Sequence, residues 1–393
     1  MDDQRDVEII FNPLDVEVIR DPYPSYRLLR QRDPVHWHEQ LRSWILTRYA
    51  DCQSVLKAPN IFAADFRRIG EPTPFELLSI QTLDPPDHTS LREFLSDCFR
   101  SQDLAGLESV TTERVKRMLG DLATHESFDF ITEFADPLSL STITTLLGVE
   151  PPTTDEMFSQ LNDDLDRSMD SGLAPDAQEA GRLARAHFNA LVETWLDSNP
   201  KKGMVGYIAV HCHRANVSTD VLINSVRAFF HAGFEVPSRF LGNMVLALLR
   251  EPGAIEYLSD PGLLDSGLDE LVRYAGPVQA LSRACTQDTE LGGRRIARGD
   301  TVVALIGAAN RDPLQFNDPD RLILDRTPNA HLGFGKGIHS CLGFRVGLMQ
   351  ARATIAALVE SYPKLRLVGD PVPRNNATLR GLKHLPIVIE KAH

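Results

Sequence analysis

Along most of this chain apolar residues recur three and four positions apart, the spacing that lays one hydrophobic stripe on a helix. The pattern predicts helices over 23–32, 49–57, 87–100, 104–123, 133–147, 154–170, 176–197, 219–250, 263–275 and 341–360. Strand-like runs are short: Val35–Trp37, Ser43–Thr47, Val278–Ala284, Thr301–Leu305 and Leu385–Ile389. They are too few and too scattered for an alternating βαβ fold, so the expected fold is mainly α with a small β-rich region. No repeat, low-complexity tract or Ser/Gly linker interrupts the pattern, and residues 1–393 are expected to form a single domain.

The 219–250 run carries the most information. Ser218, Thr219 and Asp220 offer N-cap chemistry and Glu251-Pro252 closes the run; at 1.5 Å per residue such a helix spans about 48 Å. Gly233 and Pro237 sit near its middle, where proline costs about 3 kcal/mol in an undisturbed helix. Either two helices join at a kink here, or one turn is distorted and opened toward a ligand.

Composition narrows the function. The chain is 42% hydrophobic and 24% charged, and 41 Lys+Arg against 54 Asp+Glu leave −13. With no basic stripe, nucleic acid is not expected as a partner. Apolar runs fall short of the roughly 18 to 20 residues that cross a bilayer, and Met1-Asp2-Asp3-Gln4-Arg5-Asp6 reads as neither signal peptide nor anchor. A cytoplasmic location, away from membranes, is the expectation. Five cysteines without a C-x-x-C pair argue against a disulfide framework or a zinc ribbon, and Cys52, Cys98, Cys212 and Cys285 read as small core residues. His211-Cys212-His213 reads as solvated surface.

Cys341 is different. It lies in Phe334-Gly335-Lys336-Gly337-Ile338-His339-Ser340-Cys341-Leu342-Gly343, just ahead of a helical pattern. Glycines 335, 337 and 343 allow tight turns and close approach to a flat ligand, and a helix N-terminus lowers a thiol pKa, as a metal-ligating sulfur requires. A lone thiolate suits an axial ligand of heme iron better than an iron–sulfur or zinc site.

This stretch resembles the heme-binding loop of the cytochrome P450 family. The likeness extends to Glu270-x-x-Arg273 on a helix about seventy residues upstream, to Ala309-Asn310-Arg311-Asp312 and to Asp318-Pro319-Asp320-Arg321, and covers nearly the whole chain. It implies a cytochrome P450-like fold with a long central distal helix. It also implies heme b bound through Cys341, with iron as the metal. Glu270 and Arg273 would pair with Arg321 in a structural brace. His88 and Arg92, four apart in Asp84-Pro85-Pro86-Asp87-His88-Thr89-Ser90-Leu91-Arg92, would hold the heme propionates with Arg283 and His339. Ala228, His231, Ala232, Val236, Gln279 and Leu281 would line the substrate pocket, roofed by segment 60–83 and helices 154–197. His231 reads equally as a satisfied core histidine.

The chain departs from the family pattern at the middle of the long helix. Members usually carry Ala/Gly-Gly-x-acid-Thr, where acid and hydroxyl deliver protons for dioxygen activation; here Ala232-Gly233-Phe234-Glu235-Val236-Pro237-Ser238 keeps the acid and replaces threonine by Val236. The Ala232-Gly233 pair would allow close approach of the heme, and Pro237 would free a carbonyl to bind water. A substrate hydroxyl or ordered water could supply the missing donor; Ser238 points to another face. Alternatively the reaction is an oxidative coupling or cyclisation without oxygen insertion. A peroxide-driven peroxygenase fits less well, because Val236 precedes Pro237 and Arg239 is misplaced for that chemistry.

No Gly-rich nucleotide or flavin fingerprint occurs. The resemblance therefore implies a monooxygenase that takes two electrons from a ferredoxin and its ferredoxin reductase, docking near Lys336 and Arg345. It would hydroxylate or epoxidise an apolar or aromatic small molecule, such as a secondary-metabolite intermediate, as a monomer. A non-catalytic scaffold is the rival of another class, and the intact Cys341 loop speaks against it.

Overall fold

A computed structural model describes residues 11–390; the N-terminal hexapeptide considered above lies outside them. Helices dominate, and most follow the apolar periodicity closely: Tyr49–Lys57, Asp87–Arg100 and Thr219–Arg250 have the expected bounds, and Leu104–Leu122, Ala177–Asp197, Leu264–Ala275 and Phe344–Ser361 differ by at most three residues at either end. The helix expected from 133 begins at Asp136, behind a π turn Phe130–Ala135. Helix Gly203–His211 was not anticipated, because Met-Val-Gly-Tyr-Ile-Ala-Val is apolar all round and shows no helical period.

Thr219–Arg250 is the axis of the molecule. Ser218 Oγ accepts the Val221 N–H at 3.3 Å, and the helix runs unbroken through Pro237. Proline is tolerated because most of this helix is buried by its neighbours, so tertiary packing outweighs one lost hydrogen bond. On one side Phe240, Leu241, Met244, Val245 and Leu248 join a core with Leu271, Val272, Ile355 and Leu358. On the other, Val226, Phe230 and Phe234 pack with Ile143, Phe158, Phe188 and Trp195.

The β-rich flank is a five-stranded sheet with Ser43–Leu46, Thr301–Leu305 and Ala280–Cys285 at its centre, Val35–His38 at one edge and Phe62–Ala63 at the other. Ser43–Leu46 runs parallel to Thr301–Leu305, and the latter pairs antiparallel with Ala280–Cys285, setting Arg283 opposite Val302. A second sheet of Phe128–Asp129, Pro386–Glu390 and Lys364–Leu367 closes the opposite side. Among the described residues, no helix is long and apolar enough to cross a membrane.

Candidate active site

Cys341 sits in a loop closed by its own backbone: its N–H donates to the Phe334 carbonyl at 2.9 Å, and Gly335 N–H to Leu332 O at 2.8 Å. Gly335 and Gly337 adopt φ of +67° and +74°, which side chains rarely tolerate, and a Cβ on Gly337 would also strike Leu56 O at 2.4 Å. Gly343 faces open space, and no protein atom lies within 4 Å of where its Cβ would be. Cys341 is exposed at the mouth of this space. It precedes the Gly343 cap of helix Phe344–Ser361 by two residues. Although the residue is exposed, protein packed around its sulfur desolvates the thiol and pushes its pKa up, against a Gly343 N–H and the nearby Arg92, the opposite of the expected lowering. Cys212, expected in the core, is exposed in the turn after helix Gly203–His211.

The loop is braced from behind. Arg273 Nε and Nη2 donate to the two oxygens of Glu270 at 2.7 Å each, both side chains fully buried. Arg273 also reaches the carbonyls of Asn310 and Pro319 at 2.8 Å, and Asn310 Oδ1 accepts Leu332 N–H at 2.8 Å, tying the brace to the start of the Cys341 loop. The third member is not Arg321. That side chain is exposed and only its carbonyl takes part, at 3.0 Å from Arg273 Nη2. Arg326 completes the brace, donating from Nε to Glu270 Oε2 at 3.0 Å. Leu322, Leu324 and Arg326 are buried while Arg321 and Asp325 are exposed, and the turn in which Arg326 N–H donates to Ile323 O at 3.0 Å carries Arg326, not Arg321, to Glu270.

Four nitrogen-bearing side chains surround the open space. His88 and His339 rings are 4.3 Å apart, and the Nε2 of each is buried without a hydrogen-bond partner. Arg92 Nη2 donates to Ser340 O at 2.8 Å and Arg283 Nη1 to Ser282 O at 2.7 Å; neither guanidinium joins an ion pair among the described residues. Burial, with His339 and Arg92 beside it, pushes the His88 pKa down to about 4, so His88 serves as a neutral donor. Asp84 orders the set: His339 Nε2 is 3.6 Å from it, and despite burial its hydrogen-bond donors hold its pKa at about 2. Two buried imidazole nitrogens without hydrogen-bond partners and two guanidiniums without an acid, beside a glycine facing open space and an exposed thiol, fit a flat ligand with two carboxylates and an iron that takes sulfur.

The long helix forms the facing wall. Ala228, Ala232 and Val236, one turn apart, are half-exposed in a helix otherwise largely buried, and Leu281 is half-exposed on the neighbouring strand. These four border the space. Gln279 does not open onto it: it is 1% exposed, its Nε2 donates to Gly276 O at 2.9 Å, and its Oε1 lies where a Cβ on Gly307 would stand. Gly233 is accounted for by packing rather than by approach of a ligand, since a Cβ there would lie 2.4 Å from Ile143 Cδ1. His231 and Glu235 are buried on the adjoining face.

The cytochrome P450 family profile matches residues 250–382. Cytochrome P450 CYP107DY1 of Priestia megaterium is 30% identical over 368 residues, covering 88% of this chain and 89% of that protein. The beta-dihydromenaquinone-9 omega-hydroxylase of Mycobacterium tuberculosis is 30% identical over 391 residues, 96% of this chain and 78% of the hydroxylase. Among solved structures, CalO2 superposes with a TM-score of 0.83 at 32% identity, covering 97% of this chain and 99% of its own. The chain belongs to the cytochrome P450 family. It has the family's fold, mainly α with small sheets, and it is a heme-dependent monooxygenase, in a family whose iron takes an axial cysteine thiolate.

Beside the pocket wall of this cytochrome P450 runs a polar stripe. Arg239, 1% exposed, donates from Nε to Glu235 Oε2 at 3.3 Å and from Nη1 to Leu379 O at 2.5 Å, and pairs through Nη2 with Asp166 of helix Glu156–Arg167. His231 Nε2 lies 3.3 Å from the other Asp166 oxygen. Arg374 joins from the C-terminal segment, 2.9 Å from Asp163 and 3.8 Å from Asp136. Asp170 accepts the N–H groups of Ala377 and Thr378 at 2.7 and 3.0 Å. Ser238 is turned away to Asp136, as its helical position implies. Burial and the nearby Asp166 push the Glu235 pKa up to about 7. For Asp166, buried as well, Arg239 and His231 outweigh burial and hold it low. Glu235 and Arg239 are i and i+4 on one helix, but Asp163, Asp166 and Arg374 come from two distant segments that no local spacing links to them.

Proposed function

We propose that Cys341 is the axial thiolate of heme b, that His88, Arg92, Arg283 and His339 hold its propionates, and that Phe334, Gly335 and Gly343 form the bed on which the ring lies. The observation carrying this is that two imidazole nitrogens without hydrogen-bond partners and two guanidiniums without an acid partner accompany the Cys341 loop. The bound heme supplies reductive activation of dioxygen; the chain's own residues seat it, exclude water and manage protons. Glu235 is the proton-holding group, and its raised pKa lets it both carry and release a proton near neutrality. Val236 offers no hydroxyl, so the last donor on the path is a substrate hydroxyl or a water held at the carbonyl that Pro237 leaves without its N–H.

The reaction is insertion of one oxygen atom, by hydroxylation or epoxidation, into an apolar or aromatic small molecule or natural-product intermediate. The hydroxylase name of the mycobacterial relative supports hydroxylation. Oxidative coupling is the second reading, favoured by Val236 and by the tie of Glu235 to Arg239; a product two hydrogens lighter rather than one oxygen heavier would establish it. Electrons come from a ferredoxin and its ferredoxin reductase, docking at exposed Arg345 and Phe344 beside half-buried Lys336. The protein acts as a cytoplasmic monomer.

The test is the absorption spectrum of reduced protein under carbon monoxide. Wild type should show the strongly red-shifted Soret band of thiolate-ligated heme, and Cys341→Ser should lose it while retaining its fold by circular dichroism. A band surviving in the variant would remove Cys341 from the iron.

A further inference from the structure

Two arginines near the start of the distal helix are buried without an acid to pair with. Arg227 of that helix is 6% exposed and Arg185 of helix Ala177–Asp197 is 9% exposed. Arg227 Nη2 donates to Glu76 O at 2.9 Å and Arg185 Nη1 to Ser168 Oγ at 3.0 Å, while the Nε of each is buried with no partner. Neither forms an ion pair among the described residues. Burial, with repulsion from Arg185 next, pushes the Arg227 pKa down to about 10. A carbonyl and a hydroxyl are satisfied by neutral donors, so these contacts do not explain two charges taken out of water.

Position supplies the explanation. Arg227 precedes Ala228, which borders the heme-side space, and its place on the helix continues the polar stripe of His231 and Glu235. The loop that Arg227 holds at Glu76 also carries Phe75 and Leu78, which wall a surface cleft of about 560 Å³ on its outer side. Glu76 is the acid within electrostatic range of both, so two positive charges and one negative leave a single uncompensated positive charge.

We infer that Arg227 and Arg185 bind the carboxylate of an anionic substrate and fix it against the roof of the pocket. This rests on the monooxygenase reading and narrows its substrate class from an apolar compound to an apolar body with one acidic end. Ala232 and Val236 stand five and nine residues further along the helix than Arg227, so the oxidised carbon lies about 8–14 Å from the carboxylate.

The holoprotein is titrated with straight-chain and phenyl-substituted alkanoic acids and with their primary amides, reading binding by calorimetry and the Soret shift together. At least one acid should bind about tenfold or more tightly than its amide, as expected for charge-assisted hydrogen bonds. Arg227→Gln and Arg185→Gln should each bring that preference below about twofold, Arg227→Lys should keep part of it, and Glu76→Gln should strengthen acid binding. Equal binding of acid and amide across the series, or a preference that survives Arg227→Gln, overturns the assignment. So does calorimetric binding of an acid without a Soret shift in protein whose carbon monoxide band is intact, which would put the anion elsewhere and leave the heme reading standing. Loss of that band in wild type would fail the heme reading alone, and calorimetry would still decide the anion site.

Discussion

The two ends of one polar stripe on the distal helix solve opposite electrostatic problems. Around Glu235, buried acids outnumber cations, and the structure answers with cross-links: Arg239 serves Glu235 and Asp166, and Arg374 serves Asp163 and Asp136. Around Arg227, cations outnumber acids, and the structure answers with one carbonyl, one hydroxyl and unused N–H groups. At the first end every buried acid faces a cation, with His231 Nε2 and Asp166 Oδ1 3.3 Å apart, whereas at the second neither arginine has an acid in an ion pair among the described residues. A closed network fixes Glu235 against helix Glu156–Arg167, whereas the open one leaves room for the anion proposed above.

The largest effect should come from cutting the paired end. Arg239→Ala leaves Asp166 and Glu235 buried against each other, and removing one partner of a buried ion pair costs about 3–5 kcal/mol. Thermal and denaturant unfolding should both show the loss, and Arg239→Lys should recover part of it. A midpoint unchanged by Arg239→Ala would mean that solvent already reaches the cluster and that it does not hold the roof.

The pH dependence of this end has a definite sign. The folded pKa of Glu235 is raised from 4.5 to about 7, so between those values the native state holds more protons than the unfolded chain. Stability contributed by this group therefore falls as pH rises through that window and is level above it, on the order of 3 kcal/mol in all. Glu235→Gln does not titrate, and its advantage over wild type should widen from pH 5 to pH 7 and then stay constant. Asp136, Asp163, Asp166, Asp170 and His231, which face the cluster, are present in both proteins and largely cancel in the difference. Parallel curves would show that Glu235 keeps an ordinary carboxylate pKa.

Legibility in sequence follows the same divide between local and distant chemistry. The 334–343 loop, the Glu270-x-x-Arg273 pair and the whole span of the distal helix could be read because each is one contiguous segment whose spacing carries its geometry. His88 and Arg92 were readable as i and i+4 on helix Asp87–Arg100. Arg326 rather than Arg321 reaches Glu270 because of the turn over Ile323–Arg326, which the apolar run Leu322-Ile323-Leu324 does not announce. Gln279 looked like a pocket residue until Gly276 and Gly307 were seen to enclose it. Asp166, Arg239 and Arg374 meet only after folding brings together positions up to 208 apart in number, which no pattern along the chain encodes.

The smallest effect belongs to the unpaired end, and its sign is the sharper test. Arg227→Met should leave the ligand-free protein as stable as wild type or raise its unfolding midpoint slightly. It removes an unpaired buried cation at the loss of one hydrogen bond to Glu76 O, worth about 1 kcal/mol. Stability gained by deleting a residue is the mark of a group retained for binding. Comparing Arg227→Met with Arg239→Ala in the same unfolding assay sets the two ends side by side, one neutral or favourable and the other strongly costly. If Arg227→Met costs as much as Arg239→Ala, Arg227 is a structural pin for the 75–78 loop, and neither end of the stripe needs a ligand.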